Sequence, residues 1–401
     1  MLSSFGQKLL WRRTLDYLDT YHPQIIGIAG SIGKTTTKQA IALALQGNKD
    51  IFVAPQPYND PLGVALGILG VDTPPAARHW FNLLTGSLVR ELKEPEANTL
   101  LLELGARRPG DMDFLATRLP INLAVVTNVG GVNTEIFGSK EMVAHEINSL
   151  PASLSDNATA ILNIDDPLVA DMAAHMRAHV ITFGTDQAAD IKLIRHTRLS
   201  HGGLAIEVNI AGKTYELHLR HILCRRQISS ILAALAVANF YRLDLKATAA
   251  RLQNFVPPSG RMRLTPGRRG ARLLDDSYDA SPESVLSGLE TMRALSTSLN
   301  RSSGRRISIL GDITHLGSES FSVHKKTGKF AGELSHVFIA VGERMRDAAT
   351  EGILVGADVH HFEDARDVGK WFADFIHQDD LIYITGSNDM NMTEVVKQLS
   401  G

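Results

Sequence analysis

The chain has 401 residues, of which 44% are apolar and 21% are charged, a composition typical of folded globular proteins. Lys and Arg number 41 against 43 Asp and Glu, so the net charge of -2 supplies no positive field for a polyanion, and nucleic acid is not an expected partner. At about 100–200 residues per domain, the length predicts two or three domains.

Cysteine content and hydropathy restrict the location of the protein. The single Cys224 excludes an intramolecular disulfide and a zinc cage, which predicts a reducing compartment, and the cytoplasm is expected. No apolar stretch approaches the roughly 18 residues that cross a bilayer, so no membrane association is expected. Residues 1–23 are predicted to form an N-terminal helix that packs on the domain behind it.

Short apolar runs followed by glycine and then by helical patterns begin at Gln24. This alternation predicts an α/β fold with a mainly parallel sheet. The clearest strands are Ile25–Ala29, Thr99–Leu102 and Asn122–Val126. In such sheets the loops that carry the chemistry gather at the C-terminal ends of the strands, so functional residues are expected there.

A linker divides the chain after a β-rich segment. Residues 190–219 alternate in polarity and predict a small antiparallel insertion, which an Ala-rich helix over Ile228–Tyr241 follows. The run Pro257–Gly260 stops helices and predicts a domain boundary, separating a domain over residues 24–256 from a second over 260–401. Strands are predicted in the second domain at Arg306–Leu310, Val337–Val341 and Leu381–Ile384.

The segment 27–36, Gly-Ile-Ala-Gly-Ser-Ile-Gly-Lys-Thr-Thr, follows a strand and opens a helix. Glycines let successive backbone amides face one anion, and the positive end of the helix dipole reinforces them. Lys34 supplies a charge for the β and γ phosphates, and the hydroxyl of Thr35 is suited to Mg²⁺. The pattern predicts a nucleoside triphosphate site. The alternative interpretation is a glycine-rich turn followed by a surface lysine.

Further blocks along the chain occur in the order of one family. They are Glu103-Leu104-Gly105-Ala106, Thr127-Asn128-Val129-Gly130 with Glu135–Ser139, Gly260-Arg261-Met262, Asp275–Pro282, and Leu310-Gly311-Asp312. With the phosphate loop they resemble the Mur ligase family, and most closely its UDP-N-acetylmuramoyl-tripeptide:D-alanyl-D-alanine ligase branch. The resemblance implies a P-loop, mainly parallel ATP-binding domain with a small β-rich insertion, followed by a Rossmann-like α/β C-terminal domain.

The resemblance also implies an activity, that of an ATP-dependent acid–amino-acid ligase. A carboxylate takes the γ-phosphoryl group of ATP, and an amine then displaces phosphate to leave an amide. The implied cofactors are ATP and Mg²⁺, and the implied partners are a small carboxylic acid and an amine such as an amino acid or short peptide. No Ser-His-Asp or Cys-His arrangement is evident, which agrees with phosphoryl transfer, because that reaction needs positioning and charge neutralisation.

Site residues follow from the matched positions. The resemblance assigns catalytic roles to Lys34, Glu103 and Asn128, and Mg²⁺ binding to Thr35 and Glu103. Arg261 is expected to reach ATP across the gap between the domains, and Asp276 to line the same cleft. The expected nucleotide-binding set is Gly30, Ser31, Ile32, Gly33, Lys34, Thr35, Thr36, Gln227, Arg261 and Asp276.

Several positions depart from the family pattern. Asn133 stands where many members have a histidine for a second Mg²⁺, and Ile147 stands where they have a carbamylated lysine; His145 and Glu146 are the nearest substitutes. The residues that read adenine are replaced by Arg226, Gln227 and Ser230, so binding is expected to survive with altered preference. Thr385 replaces the lysine of a Lys-Gly-Ser segment.

The branch has an N-terminal domain for the UDP-sugar, and we expect this chain to have no counterpart of it, because its phosphate loop lies close to the first residue. We therefore expect an acid other than the UDP-linked peptidoglycan precursor, either a smaller one or one that a partner protein holds. A second hypothesis is a non-catalytic nucleotide-binding homologue that serves as a subunit or scaffold. A third, a P-loop switch or kinase, leaves the C-terminal blocks unexplained.

Overall fold

The computed structural model describes residues 4–54, 59–70, 97–131, 133–174, 176–299 and 304–401. Within these residues the chain forms two β-sheets, each covered by helices, and the predicted α/β class is confirmed. No helix in the described ranges is long and apolar enough to span a membrane.

The first sheet has nine strands, and its middle lies beneath the phosphate loop. The strands are β1 (Gln24–Ala29), β2 (Ile51–Val53), β3 (Thr99–Glu103), β4 (Leu123–Val126), β5 (Thr159–Asn163), β6 (His179–Gly184), β7 (Ile191–Arg198), β8 (Leu204–Ile210) and β9 (Lys213–Leu219). Their order is β2-β3-β1-β4-β5-β6-β7-β8-β9. The strands from β2 to β7 pair in parallel, whereas β7, β8 and β9 pair antiparallel. The predicted β-rich insertion is therefore an extension of the main sheet, joined to it through β6 and β7.

Helices cover both faces of this sheet. They are α1 (Ser4–Tyr21), α2 (Lys34–Leu45), α3 (Pro61–Ile68), α4 (Asp111–Ala116), α5 (Thr134–Phe137), α6 (Lys140–Ala152), α7 (Pro167–Ala173), α8 (Arg225–Phe240) and α9 (Leu245–Leu252). The N-terminal helix α1 buries Leu10, Trp11 and Tyr17, and Trp11 packs edge-on against Phe114 at 5.1 Å between ring centroids. Its apolar face therefore packs on the protein.

The second sheet has six strands in the order β10-β11-β15-β12-β13-β14. These are β10 (Arg263–Pro266), β11 (Arg272–Asp276), β12 (Arg306–Gly311), β13 (Val337–Val341), β14 (Asp358–Phe362) and β15 (Leu381–Thr385). The helices around it are α10 (Pro282–Ser298), α11 (Ser320–Leu334), α12 (Met345–Leu354), α13 (Ala365–Phe372) and α14 (Thr393–Leu399). Only β10 runs antiparallel to its neighbour, in a hairpin with β11.

Gly260 follows the prolines of the linker and is held by the second sheet. Its amide donates to Asp275 Oδ2 at 2.9 Å, and its carbonyl accepts from the amide of Tyr278 at 3.2 Å. Asp275 is buried and also accepts from the amide and hydroxyl of Ser277. Gly260 therefore belongs structurally to the second sheet, which leaves the residues before it as the connection between the two sheets.

Replacing Gly260 by Ala is expected to destabilise the protein by about 1–3 kcal/mol. Gly260 has φ 72°, a left-handed conformation, and an added Cβ would lie 2.9 Å from the Tyr278 Cβ and 3.0 Å from the Tyr278 amide nitrogen. The midpoint of urea unfolding measures the loss. Gly356→Ala is the matched control, because Gly356 also has a positive φ, 87°, but faces open space. Equal losses in the two variants would contradict the proposed steric conflict with Tyr278.

Candidate active site

The phosphate loop joins β1 to α2 and is shaped by β4. Gly30 has φ 129°, and a Cβ there would collide with Thr127 Oγ1 and lie 3.0 Å from the Asn128 backbone. The Thr127 hydroxyl donates to the carbonyl of Ile32 at 2.8 Å. Gly33 has φ 87° at the start of α2, and no atom lies within 4 Å of the position that its Cβ would take. The glycines therefore allow the loop to lie against β4 and leave open space before the helix.

Asn128 fixes the curvature of this loop. Its carbonyl accepts from the amide of Ser31 at 2.9 Å, and its Oδ1 accepts from the amide of Ile32 at 2.9 Å. Thr36 is buried on α2, and the neighbouring Thr37 donates to Ser230 on α8 at 2.9 Å. The side chain of Asn128 thus holds the loop's backbone in this structure.

Lys34 lies across the mouth of the loop. Its Nζ donates to the Gly30 carbonyl at 2.6 Å and to the Ser31 carbonyl at 3.3 Å. Burial lowers the pKa of Lys34, an effect that the charge of Glu103 opposes and that of Arg261 reinforces. The ammonium group is therefore held where the loop's amides and the N-terminus of α2 meet.

Glu103 ends β3 beside the loop, in register with Ile28 of β1. It is only 2% exposed, and its Oε2 accepts a hydrogen bond from the Thr35 hydroxyl at 3.0 Å. Its Oε1 forms an ion pair of 2.9 Å with Lys38, which also donates to the carbonyl of Ala54 at 2.8 Å. A buried carboxylate and a hydroxyl are hard oxygen donors of the kind that Mg²⁺ prefers, so the pair fits that ion.

The C-terminal half of the chain supplies the opposite side of a cleft of about 600 Å³. Arg261 stacks on the ring of Tyr278 at 3.9 Å, and both line the cleft together with Asp279. Desolvation raises the pKa of Asp279, whereas the charges of Arg261 and Lys34 lower it. Lys34 of one half and Arg261 and Asp279 of the other half thus share the cleft with the phosphate loop.

Three residues assigned to the nucleotide or its base lie at the junction of the two halves, outside the cleft lining. The Gln227 side chain accepts from the amide of Leu223 at 2.7 Å and donates to the carbonyls of Arg261 and Met262 at 3.0 and 3.2 Å. Arg226 forms an ion pair of 3.0 Å with Asp276. Burial lowers the pKa of Arg226, but the charge and hydrogen bond of Asp276, together with Cys224 and Tyr383, outweigh burial, so the pKa is raised. In this structure these groups tie α8 to the second sheet.

Two family models together match most of the chain. The Mur ligase middle domain matches residues 28–238, and the Mur ligase, glutamate ligase domain matches residues 260–388. The chain belongs to the Mur ligase family. The predicted resemblance is thereby confirmed, and residues 257–259 of the linker lie in the interval between the two matches.

Relatives with a known name share the middle and C-terminal parts of this Mur ligase family member. The UDP-N-acetylmuramoyl-tripeptide--D-alanyl-D-alanine ligase of Mycobacterium leprae is 28% identical over 362 residues, which cover 82% of this chain and 64% of that protein. The ligase of the same name from Escherichia coli is 24% identical, with 99% and 80% covered. The chain thus spans less than two thirds of the mycobacterial relative.

Solved structures share the fold. MurF from Acinetobacter baumannii aligns with a TM-score of 0.80 at 19% identity, covering 98% of this chain and 80% of that one. MurF ligase from Thermotoga maritima in complex with ADP aligns with a TM-score of 0.79 at 22% identity, covering 99% and 84%. At these identities the likeness shows the arrangement of the two sheets.

The positions that depart from the family's second-metal pattern do not form a metal site. Ile147 is buried and apolar, and the two carboxylate oxygens of Glu146 accept from the amides of Gly110 and Met112 at 2.9 and 2.7 Å. Among the residues that the structure describes, no group of three His, Cys, Asp or Glu side chains is arranged to hold a metal ion. These residues do not fit a second Mg²⁺ of the family type.

The sequence did not single out several residues of the site. Lys38, the partner of Glu103, lies one helical turn after Lys34, and the i, i+4 spacing of two lysines after the glycines is a signal that could have identified it. Asp279 lies in one of the matched blocks, but the sequence assigned it no role. Asp275 acts through its buried contacts with Gly260 and Ser277, and no local pattern indicates those contacts.

The carboxylate of Asp312, in the matched Gly-Asp pair, accepts hydrogen bonds from backbone amides of the second half of the chain. Its oxygens accept from the amides of Arg344 and Met345 at 3.2 and 2.8 Å, at the start of α12. The following loop is held by buried His324, whose Nε2 accepts from the Ile313 amide at 3.1 Å while its Nδ1 faces the Ser320 carbonyl at 2.7 Å. These contacts require a neutral imidazole with its proton on Nδ1.

Stability is expected to fall as His324 is protonated. Burial lowers the pKa of His324, although the Ser320 carbonyl and Asp312 raise it. The unfolded imidazole titrates near its ordinary value of about 6.5, so the stabilisation is complete above that pH and declines as the pH falls below it. Urea unfolding at about pH 7.5 and about pH 5.5 tests this. His324→Gln retains an acceptor but cannot titrate, and should lose less stability over this interval than the wild type; equal losses would contradict the assignment.

Proposed function

We propose that this Mur ligase family member is an ATP-dependent carbon–nitrogen ligase that joins a carboxylic acid to an amine through an acyl phosphate. The observation that carries the proposal is the convergence of Lys34, Thr35 and Glu103 at the phosphate loop, opposite Arg261 from the other half of the chain. One half supplies a phosphate cradle and the other supplies a cation, as expected for a reaction performed between two domains.

ATP binding is supported by the loop's conformation. The glycines leave space ahead of α2, a helix of 12 residues whose free amides and dipole favour a polyphosphate. Lys34 would exchange its two carbonyl contacts for phosphate oxygens. A Mg²⁺ ion held by Thr35, Glu103 and the phosphates themselves would neutralise charge on the transferred group. Arg226, Gln227 and Ser230 stay candidates for the base, and Asp276 stays a candidate for the nucleotide; a rearrangement of the junction would bring them to the cleft.

The proposed reaction has two chemical steps, phosphoryl transfer to the acid and attack of the amine on the acyl phosphate. A carboxylate oxygen attacks the γ-phosphorus, the bond to the bridging oxygen of ATP breaks, and ADP leaves with that electron pair. The amine nitrogen then attacks the acyl carbon, phosphate departs, and the nitrogen loses one proton. Lys34 and Arg261 stabilise the equatorial oxygens in the first step. Closure of the cleft excludes water, which would otherwise hydrolyse the acyl phosphate.

We further propose that the acid differs from the UDP-linked peptidoglycan precursor. Thr385 replaces a lysine of the branch's substrate end, and Ile147 replaces its metal-binding lysine. At both positions this chain therefore lacks a lysine that the resemblance assigns to the branch's own reaction. A small acid, or one presented by a partner protein, agrees with these losses. Residues 24–256 and 260–401 are proposed to act as the two closing domains, in a protein that works in the cytoplasm.

Trapping of the acyl phosphate tests the proposal directly. Hydroxylamine replaces the amine and converts any acyl phosphate into a stable hydroxamate, so the amine need not be known. The full chain is incubated with Mg²⁺, ATP and a panel of acids that includes amino acids, short peptides and aliphatic acids. We expect ADP and hydroxamate in equal amounts with at least one acid, and neither without an acid. ADP release independent of any acid would contradict the ligase assignment.

A non-catalytic nucleotide-binding subunit is the second candidate. The observation that favours it is the apolar side chain of Ile147 at the position of the family's second metal ligand. This candidate predicts nucleotide binding at the phosphate loop without hydroxamate formation from any acid in the panel. Measured nucleotide affinity together with the trapping experiment therefore separates the two functions.

A further inference from the structure

One wall of the cleft is apolar. Helices α4, α5 and α6 contribute five side chains to it, and these line the same cleft as Lys34 and Glu103. Four of the five are at most 9% exposed, whereas Ile136 is 43% exposed and stands open to the cleft. We call this set the apolar wall; it consists of Met112, Ile136, Phe137, Val143 and Ile147.

Two charged residues that line the cleft close to wall residues in the sequence, Arg107 and Glu146, already have protein partners; Arg107 forms an ion pair of 3.2 Å with Asp60. Glu146 lies between wall residues on α6, but its two oxygens accept from the amides of Gly110 and Met112 and hold the start of α4. A charged or strongly polar group placed against the wall would lose its water without gaining a partner, whereas a hydrocarbon group would gain by burial.

We propose that the apolar wall is the acyl subsite, and that it takes a carboxylic acid with an uncharged hydrocarbon chain or side chain next to its carboxylate. This inference rests on the proposed ligase function, because it places the carboxylate at Lys34 and the phosphate loop. The continuity of the wall with the loop in one cleft supplies the geometry. Among the wall residues, Ile136 has the largest exposed fraction. A bound acid would therefore bury more of Ile136 than of the others, and this burial favours an apolar acid over a polar one.

Binding of matched acids tests the subsite without relying on turnover. The full-length protein is loaded with Mg²⁺ and a non-hydrolysable ATP analogue, and hexanoate and adipate are titrated by calorimetry. The two acids share a six-carbon chain, but adipate carries a second carboxylate at the end that would face the wall. We expect hexanoate to bind at least about tenfold more tightly than adipate. N-acetyl-leucine and N-acetyl-asparagine form a second pair, similar in shape and different in polarity.

Ile136→Asn is the variant that tests the wall. Its side chain is half exposed, so the fold should tolerate the change, and we expect hexanoate affinity to fall about five- to tenfold while nucleotide affinity stays unchanged. Met142→Asn is the matched control, because Met142 is 52% exposed at the start of α6 but does not line the cleft. It should leave hexanoate binding unaltered.

Each outcome decides the proposal. Equal or tighter binding of adipate, equal losses in Ile136→Asn and Met142→Asn, or absence of binding by every acid would overturn the acyl subsite. Preferential binding of hexanoate that Ile136→Asn abolishes supports it. If that preference is found while no acid yields a hydroxamate, the acyl subsite stands and the ligase activity fails, so the two failures are distinguishable.

Discussion

Lys34→Met is expected to reduce acid-dependent ADP formation by at least about 100- to 1,000-fold, the usual cost of removing one preorganised group that stabilises the transition state. The substitution keeps most of the side-chain length but removes the ammonium group that lies across the phosphate loop at 2.6 Å from the Gly30 carbonyl. The charge developing on the transferred phosphoryl group would lose its nearest protein cation. Initial rates with saturating acid and varied ATP measure the effect.

Folding should be nearly unaffected by this change, because burial already disfavours the charged form of Lys34 and lowers its pKa. Urea unfolding of the variant is the check. Lys246→Met, an exposed lysine on α9, is the control and should retain full activity. If the Lys34→Met protein kept the wild-type kcat/KM for ATP, Lys34 would have no role in the reaction. The interpretation of the loop as a phosphate site would then be contradicted as well.

Glu103→Gln is expected to abolish Mg²⁺-dependent turnover and also to destabilise the fold by about 3–5 kcal/mol. The amide keeps the shape of the side chain but removes the negative charge that faces Lys38, and both side chains are almost completely buried, at 2% and 4% exposed. The loss of stability arises because the buried Lys38 ammonium would lose its ion pair of 2.9 Å with the Glu103 carboxylate. Urea unfolding and turnover are measured on the same preparation.

The double variant Glu103→Gln with Lys38→Met separates stability from chemistry. Removing the buried ammonium along with the carboxylate eliminates both members of the ion pair, so most of the lost stability should return. Turnover should stay low, because Thr35 alone is left to hold the metal ion. Lys38→Met alone provides the remaining corner of the cycle. Recovery of turnover in the double variant would contradict a direct role for Glu103 and leave it only the function of neutralising Lys38.

The contacts of the residues that the resemblance assigns to adenine could not be predicted from the sequence. The resemblance assigned Gln227 and Arg226 to the base, and their side chains have suitable chemistry. In the folded chain they contact Arg261, Met262 and Asp276 across the junction of the two halves. Residue type therefore predicted that these side chains are polar, whereas the partners that they contact depended on how the second sheet docks.

The apolar wall, too, could not be predicted from the sequence. Ile147 was recognisable as a departure at a metal position, but a single isoleucine does not reveal an apolar subsite. The subsite exists because three short helices, α4, α5 and α6, bring distant apolar residues to one side of the cleft. Glu146 was a candidate substitute ligand in the sequence, and the fold instead uses it to hold the amides at the start of α4.

The sequence by itself determined the phosphate loop and the parallel strands that carry it. These features follow from glycine conformations, apolar runs and turn residues, whose preferences act over a few neighbouring residues. Tertiary structure alone decided that Glu103 pairs with Lys38 and Thr35, that Gln227 and Asp276 tie the two halves together, and which side chains form the apolar wall. Such contacts join residues far apart in the chain, 68 positions for Thr35 and Glu103, and their energies depend on burial that only the packed sheets create.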